Sequence, residues 1–112
     1  MTAPPILDRE SARVNPSAIT AWRTDLQRSY GQLLARSDPT RPDDAEAIRD
    51  FEHACLGDQE WAIGYEAGRS DAMRIRDGAH PKGAGVSWFG DGWSASSTRR
   101  AAYELGVADG RT

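Results

Sequence analysis

Apolar residues recur along the chain at helical intervals. Ile19, Trp22, Leu26, Tyr30, Leu33 and Leu34 follow steps of three and four, while Arg23, Gln27, Arg28, Gln32 and Arg36 occupy other faces. Asn15 supplies an N-cap and Pro16 suits the first helical position, so the spacing predicts a helix from about Pro16 to Arg36. Ser37-Asp38-Pro39-Thr40-Arg41-Pro42 ends it, because proline lacks an N–H and disfavours helical geometry in the residue before it. Asp43 with Glu46 resembles a capping box, and Ala45, Ile48, Phe51 and Cys55 mark a second helix expected to stop at Gly57. Asp58 is placed to cap a third, with Trp61, Ala62, Tyr65 and Ala72 inward and Gly78 closing it. Residues 78–93, GAHPKGAGVSWFGDGW, hold five glycines and three large aromatics and read as a loop. Ser94, Ser96, Ser97 and Thr98 offer caps for a last helix through Ala101, Ala102, Leu105 and Ala108. Period-two alternation is confined to the short Val86 to Phe89 piece. The expected fold is all-α, a small bundle of about four helices with a Gly/Trp-rich loop before the last. Residues 1–14, with Pro4-Pro5 and no period, read as a flexible N-terminal arm. Residues 15–112 read as a single helical domain, made of an acidic helical pair over 15–57 and a Gly/Trp-rich pair over 58–112.

The last two helices echo each other. Gly64 to Ala72 reads GYEAGRSDA and Ala102 to Gly110 reads AYELGVADG, so Tyr65 and Tyr103, Glu66 and Glu104, Gly68 and Gly106, and Asp71 and Asp109 coincide at an offset of 38. Each segment also places small residues at successive i, i+4 positions: Gly64, Gly68 and Ala72 in one, Ala102, Gly106 and Gly110 in the other. Glycine inside a helix costs about 0.5–1 kcal/mol relative to alanine, so something must compensate. Close backbone approach does so, and the two helices are expected to cross through their small faces, with Tyr65 and Tyr103 flanking the contact and Trp88 or Trp93 over it. The same faces could form a two-fold interface between copies, so a homodimer is a further expectation.

Composition narrows the class. A chain of 112 residues fits a single small core, and with only 16 Ile, Leu, Val and Phe that core leans on four Trp, three Tyr and abundant Ala. No apolar run approaches the length of a membrane span, and the start MTAPPILDRE has no basic region followed by an apolar stretch. With one cysteine, Cys55, no internal disulfide can form, and a cytoplasmic location is expected. Arginine outnumbers lysine 13 to 1, which together with the alanine content associates the chain with a GC-rich bacterial, phage or mobile-element genome.

Charge is uneven. The net charge of −3 conceals an excess of six negative charges between Asp38 and Glu60, against +1 over residues 61–112. Asp43, Asp44, Glu46, Asp50 and Glu52 form a candidate partner-binding face, which repels nucleic acid and attracts a basic protein surface. A solvated helix surface is the plain alternative. In the other half Arg74, Arg76, Lys82, Trp88, Trp93, Arg99 and Arg100 combine cations with aromatics, as phosphate contact plus base stacking requires.

GYEAG at Gly64 to Gly68, followed by Trp88, Gly92-Trp93 and Ala95, resembles the ribosome modulation factor family, whose members carry a GYxAG helix, a Pro-containing connection and a WxxGW helix. The resemblance covers about Trp61 to Arg100, roughly a third of the chain. WFGDGW has one more residue between its tryptophans than the family pattern, Pro81 is shifted, and a pI near 5.3 departs from that family's basic character. The resemblance implies two packed helices and a ribosomal or translational partner, with RNA contact.

Catalytic chemistry finds no matching residue set. His53 and Cys55 face different sides of a helix, His80 is distant, and zinc spacings are missing, so no metal or cofactor is expected. Cys55 lacks an identifiable base, Asp43-Asp44 are adjacent and not a matched acid and base, and Lys82-Gly83-Ala84-Gly85 lacks the phosphate-loop order. Two non-enzymatic readings remain. One is an inhibitor or adaptor whose acidic face occupies a protein or nucleoprotein machine, the strategy of anti-CRISPR and anti-restriction proteins; the other is a ribosome- or RNA-binding regulator.

Overall fold

The structure is a computed structural model and describes residues 3–78 and 97–111. Among the described residues it is all-α, with α1 (Arg9–Val14), α2 (Ser17–Arg36), α3 (Pro42–Arg76) and α4 (Ser97–Gly110). The chain divides into two compact units, Met1–Asp58 and Gln59–Thr112. The boundary falls one residue beyond the 57/58 division between the two expected helical pairs.

In the first unit the amphipathic stripe of α2 turns inward as its period predicts: Ile19, Trp22, Leu26 and Leu33 are buried. Phe51 and Cys55 of α3 join them. Asn15 was expected to cap a helix beginning at Pro16, but α2 begins at Ser17 with Pro16 at its N-cap and no side-chain capping bond; Asn15 lies one residue ahead, where its Oδ1 accepts the Ser17 N–H at 3.2 Å and the Ser17 hydroxyl at 2.7 Å. Tyr30 stacks on Phe51 with ring centroids 5.4 Å apart.

Three expectations need correction here. Residues 1–14 read as an arm, yet Asp8 caps α1 by accepting the Ser11 N–H, and Leu7 and Ala12 are buried in the unit's core. Pro5 O accepts the Trp22 indole N–H at 3.0 Å. A stop at Gly57 followed by a new cap at Asp58 was also expected, but α3 runs unbroken through both positions. Asp58 serves a tertiary purpose instead: its carboxylate accepts the Leu7 N–H at 3.0 Å and pairs with Arg9 at 3.1 Å. The capping box expected of Asp43 and Glu46 does not form either: α3 starts two residues earlier, at Pro42, whose missing N–H is of no consequence in the first position, and Asp43 lies inside the first turn.

The second unit is organised by glycine. A Cβ built on Gly64 would lie 2.1 Å from Arg99 O, one on Gly68 2.1 Å from Tyr103 O, and one on Gly110 2.6 Å from the Ala72 Cβ. These contacts advance together along α3 and α4, so the two helices run in the same direction. The arrangement is also nearly two-fold. A Cβ on Gly68 would meet Tyr103 O and Val107 N at 2.1 and 2.8 Å, and one on Gly106 would meet Tyr65 O and Arg69 N at 2.2 and 2.9 Å, which are equivalent atoms under the 38-residue offset. Tyr65 donates its hydroxyl hydrogen to Asp109 at 2.7 Å, and Tyr103 donates to Asp71 at 2.6 Å. Each echo tyrosine therefore reaches the echo aspartate of the other helix. With glycine at the crossing points, the backbones come close enough for each tyrosine to reach the aspartate on the other helix.

Polar contacts fasten the ends of the pair. Arg99 grips Glu60 through two bonds, at 2.5 and 2.8 Å. The Arg76 guanidinium donates to Gly110 O, where a cation complements the negative end of α4. Gly78, with φ of 80°, closes α3 in the left-handed conformation expected of a C-terminal glycine. Trp61 stacks on Tyr65 at 4.6 Å and 9° between planes.

Candidate functional site

The five carboxylates read from the sequence do different things in the structure. Asp43, Glu46 and Asp50 lie three and four residues apart on α3 and therefore share one face. All three are exposed, and no hydrogen bond or ion pair engages them among the described residues. Asp44 is half-buried and accepts the Asp38 N–H at 2.9 Å, which fixes the turn before α3. Glu52 accepts the Tyr30 hydroxyl at 2.5 Å, and this bond raises the tyrosine's pKa above its ordinary value. Asp38 is itself held below the usual carboxylate range, because the Thr40 hydroxyl and N–H both donate to it. The free acidic face is thus narrower than the sequence set.

Beside it lies a groove that sequence reading did not foresee. It has a volume of about 530 Å³ and is floored by Leu33, Phe51, Ala47 and Ala54, with Ala3 and Pro4 at one side. Asp44 and Asp50 stand on its wall, and Arg36 is the single cation there. Ala47 and Ala54, seven residues apart on α3, were the available signal; the contribution of Pro4 depends on the tertiary course of the N-terminal residues.

The cationic set is largely occupied inside the second unit. Arg99 holds Glu60 and Arg76 holds Gly110 O. Arg74 is half-buried, and Arg100 is exposed with Glu104 4.0 Å away along the same helix. Lys82, Trp88 and Trp93 lie outside the described residues, as do Ser94, Ser96 and the Val86 to Phe89 piece. The packing set Gly64, Tyr65, Gly68, Ala72, Ala102, Tyr103, Gly106 and Gly110 is brought together in the parallel crossing. Burial, then the bond to Asp71, pushes the Tyr103 pKa up to about 12. Burial and the bond to Asp109 raise that of Tyr65, against a smaller opposite pull from Arg69, whose guanidinium donates to the same hydroxyl at 3.0 Å.

Among the described residues the reactive groups are not gathered. Cys55 is buried with its thiol directed to Glu52 O at 3.4 Å, while His53 is exposed. Among the described residues no group of three His, Cys, Asp or Glu could hold a metal ion, and no helix is long and apolar enough to cross a membrane. No protein-family model matches the chain, and neither a curated protein nor a solved structure is detectably similar to it.

Proposed function

We propose that this is a non-enzymatic binding protein, and that its first unit presents Asp43, Glu46 and Asp50 to a basic surface of a larger protein or nucleoprotein machine. The observation that supports this reading is the contrast in occupancy: those three carboxylates are exposed and unengaged among the described residues, whereas Arg76 and Arg99 are used within the second unit. Carboxylates spaced along one helix face oppose nucleic acid and favour a cationic protein surface, steering its approach at long range. An inhibitor of the kind carried by phages or mobile elements would act in this way, by covering a surface that otherwise takes nucleic acid.

The ribosomal reading is the second one, and the matching GYEAG of Gly64 to Gly68 favours it. It needs cations, and Arg100 with Lys82 would then carry much of the contact. Two measurements separate the readings. Capture from bacterial lysate should yield a protein partner with wild type and lose it with the triple variant Asp43→Asn, Glu46→Gln, Asp50→Asn. Filter binding to ribosomal RNA at low salt should show no retention. Retention of the RNA by wild type and by the triple variant alike would overturn the acidic-face reading in favour of the ribosomal one.

A further inference from the structure

The groove beside the acidic face is long, apolar at its floor and acidic on its wall. Its α3 edge runs from Asp44 to Ala54, about 15 Å at the rise of an α-helix, which is three turns of a partner helix. Ala47 and Ala54 project nothing beyond a Cβ, so a partner backbone could approach to about 8 Å, the near limit of helix packing. Leu33 and Phe51 supply the apolar contact beneath. Its volume of about 530 Å³ falls within the range of about 300–1,000 Å³ typical of built ligand sites. Asp44 and Asp50 outweigh Arg36 on the wall, and Asp43 and Glu46 continue the negative charge along the same helix.

From this combination we infer that the groove is the seat of a basic amphipathic helix belonging to the partner. The helix lays its apolar stripe on Leu33, Ala47, Phe51 and Ala54, and its flanking Lys or Arg side chains meet Asp50 and Glu46. Charge complementarity selects this occupant: an acidic amphipathic helix would face like charge, and an uncharged one would leave the wall unmatched. The inference rests on the reading of the first unit as a binding module and adds the shape and chemistry of what it binds.

The test is a titration of the full chain, isotopically labelled for amide NMR, with two synthetic peptides of about four helical turns that share a leucine stripe. One carries lysine at every other position and the other glutamate. The lysine peptide should move the amides of Leu33, Ala47, Asp50, Phe51 and Ala54, and the glutamate peptide should move none of them. Ala54→Glu adds a negative charge that by itself would favour the lysine peptide, so a loss of affinity of about tenfold or more in that variant reports the apolar seat. Ala47→Leu, which fills the groove without charge, should weaken binding similarly while the thermal midpoint stays near that of wild type.

Shifts confined to Asp43 and Glu46, with both groove variants binding as wild type does, would overturn the groove and leave the acidic face standing. No shift with either peptide would overturn the groove, and the capture experiment would then judge the acidic face by itself.

Discussion

Replacing Gly68 by alanine tests how tightly the second unit is built. The added Cβ would lie 2.1 Å from Tyr103 O and 2.8 Å from Val107 N. Both atoms are backbone, so no side chain can swing aside, and α4 must withdraw by about 1 Å to restore ordinary contact. Such a shift also lengthens the Tyr65–Asp109 and Tyr103–Asp71 bonds, now 2.7 and 2.6 Å. Overpacking costs typically about 1–3 kcal/mol, and a strained, partly broken hydrogen bond about 1 kcal/mol more. Against this, alanine gains roughly 0.5–1 kcal/mol of helix propensity. The balance is a net loss of about 1–3.5 kcal/mol, or roughly 4–15 °C in the midpoint for a chain of this size. Gly31 is the matched control, because a Cβ there meets nothing within 4 Å. Gly31→Ala should therefore stabilise by about 0.5–1 kcal/mol through propensity alone. Thermal and urea unfolding followed by circular dichroism measures both. A Gly68→Ala midpoint equal to or above wild type, alongside a raised Gly31→Ala midpoint, would refute the close crossing.

Other outcomes follow from the same contacts. Tyr103→Phe removes the hydroxyl that donates to Asp71, a residue only 2 % exposed, and should cost about 1.5–3 kcal/mol in urea unfolding, the range for losing one hydrogen bond to a charged group. Tyrosine absorbance titration should show Tyr103 ionising near pH 12 and absent from that step in Tyr103→Phe. The sign follows from linkage: the folded pKa lies above the unfolded value, so this contribution to stability is fully present below about pH 10 and is lost as pH rises through about 12. Asp58→Ala should release the Leu7 N–H and Arg9, and amide hydrogen exchange at Leu7 and Ala12 should accelerate while that at Ala72 is unchanged.

What could be read from the sequence, and what could not, divides by the range of the forces involved. Helix α2 was legible because Asn15-Pro16 and a stripe from Ile19 to Leu33 are local signals that agree, although the helix opens one residue later than they imply, at Ser17. The glycine crossing was legible because glycine at Gly68 and Gly106 is costly unless a neighbour comes close, and the echo named the neighbour. Gly57-Asp58 misled for the same local reason. A glycine followed by aspartate reads as a stop and a new cap, but the carboxylate is taken by Leu7 and Arg9, some 50 positions away in sequence. The N-terminal residues looked featureless because their ordering comes from Trp22 and Asp58, not from their own periodicity. At the candidate site, the charge of Asp43, Glu46 and Asp50 was visible, whereas the diversion of Asp44 and Glu52 into Asp38 and Tyr30 required the turn and the helix pairing to be in place. The groove was hidden because alanine at 47 and 54 is unremarkable until Leu33 and Phe51 stand beside it.

The central functional claim is that carboxylates of the first unit, and not cations of the second, make the principal contact with a protein partner. Affinity capture with the tagged full chain, carried out with and without ribonuclease and repeated with the Asp43→Asn, Glu46→Gln, Asp50→Asn variant, tests it most directly. A protein partner that survives ribonuclease and disappears with the triple variant is the expected result. Ribosomal particles captured equally by both proteins, and lost on ribonuclease treatment, would contradict it.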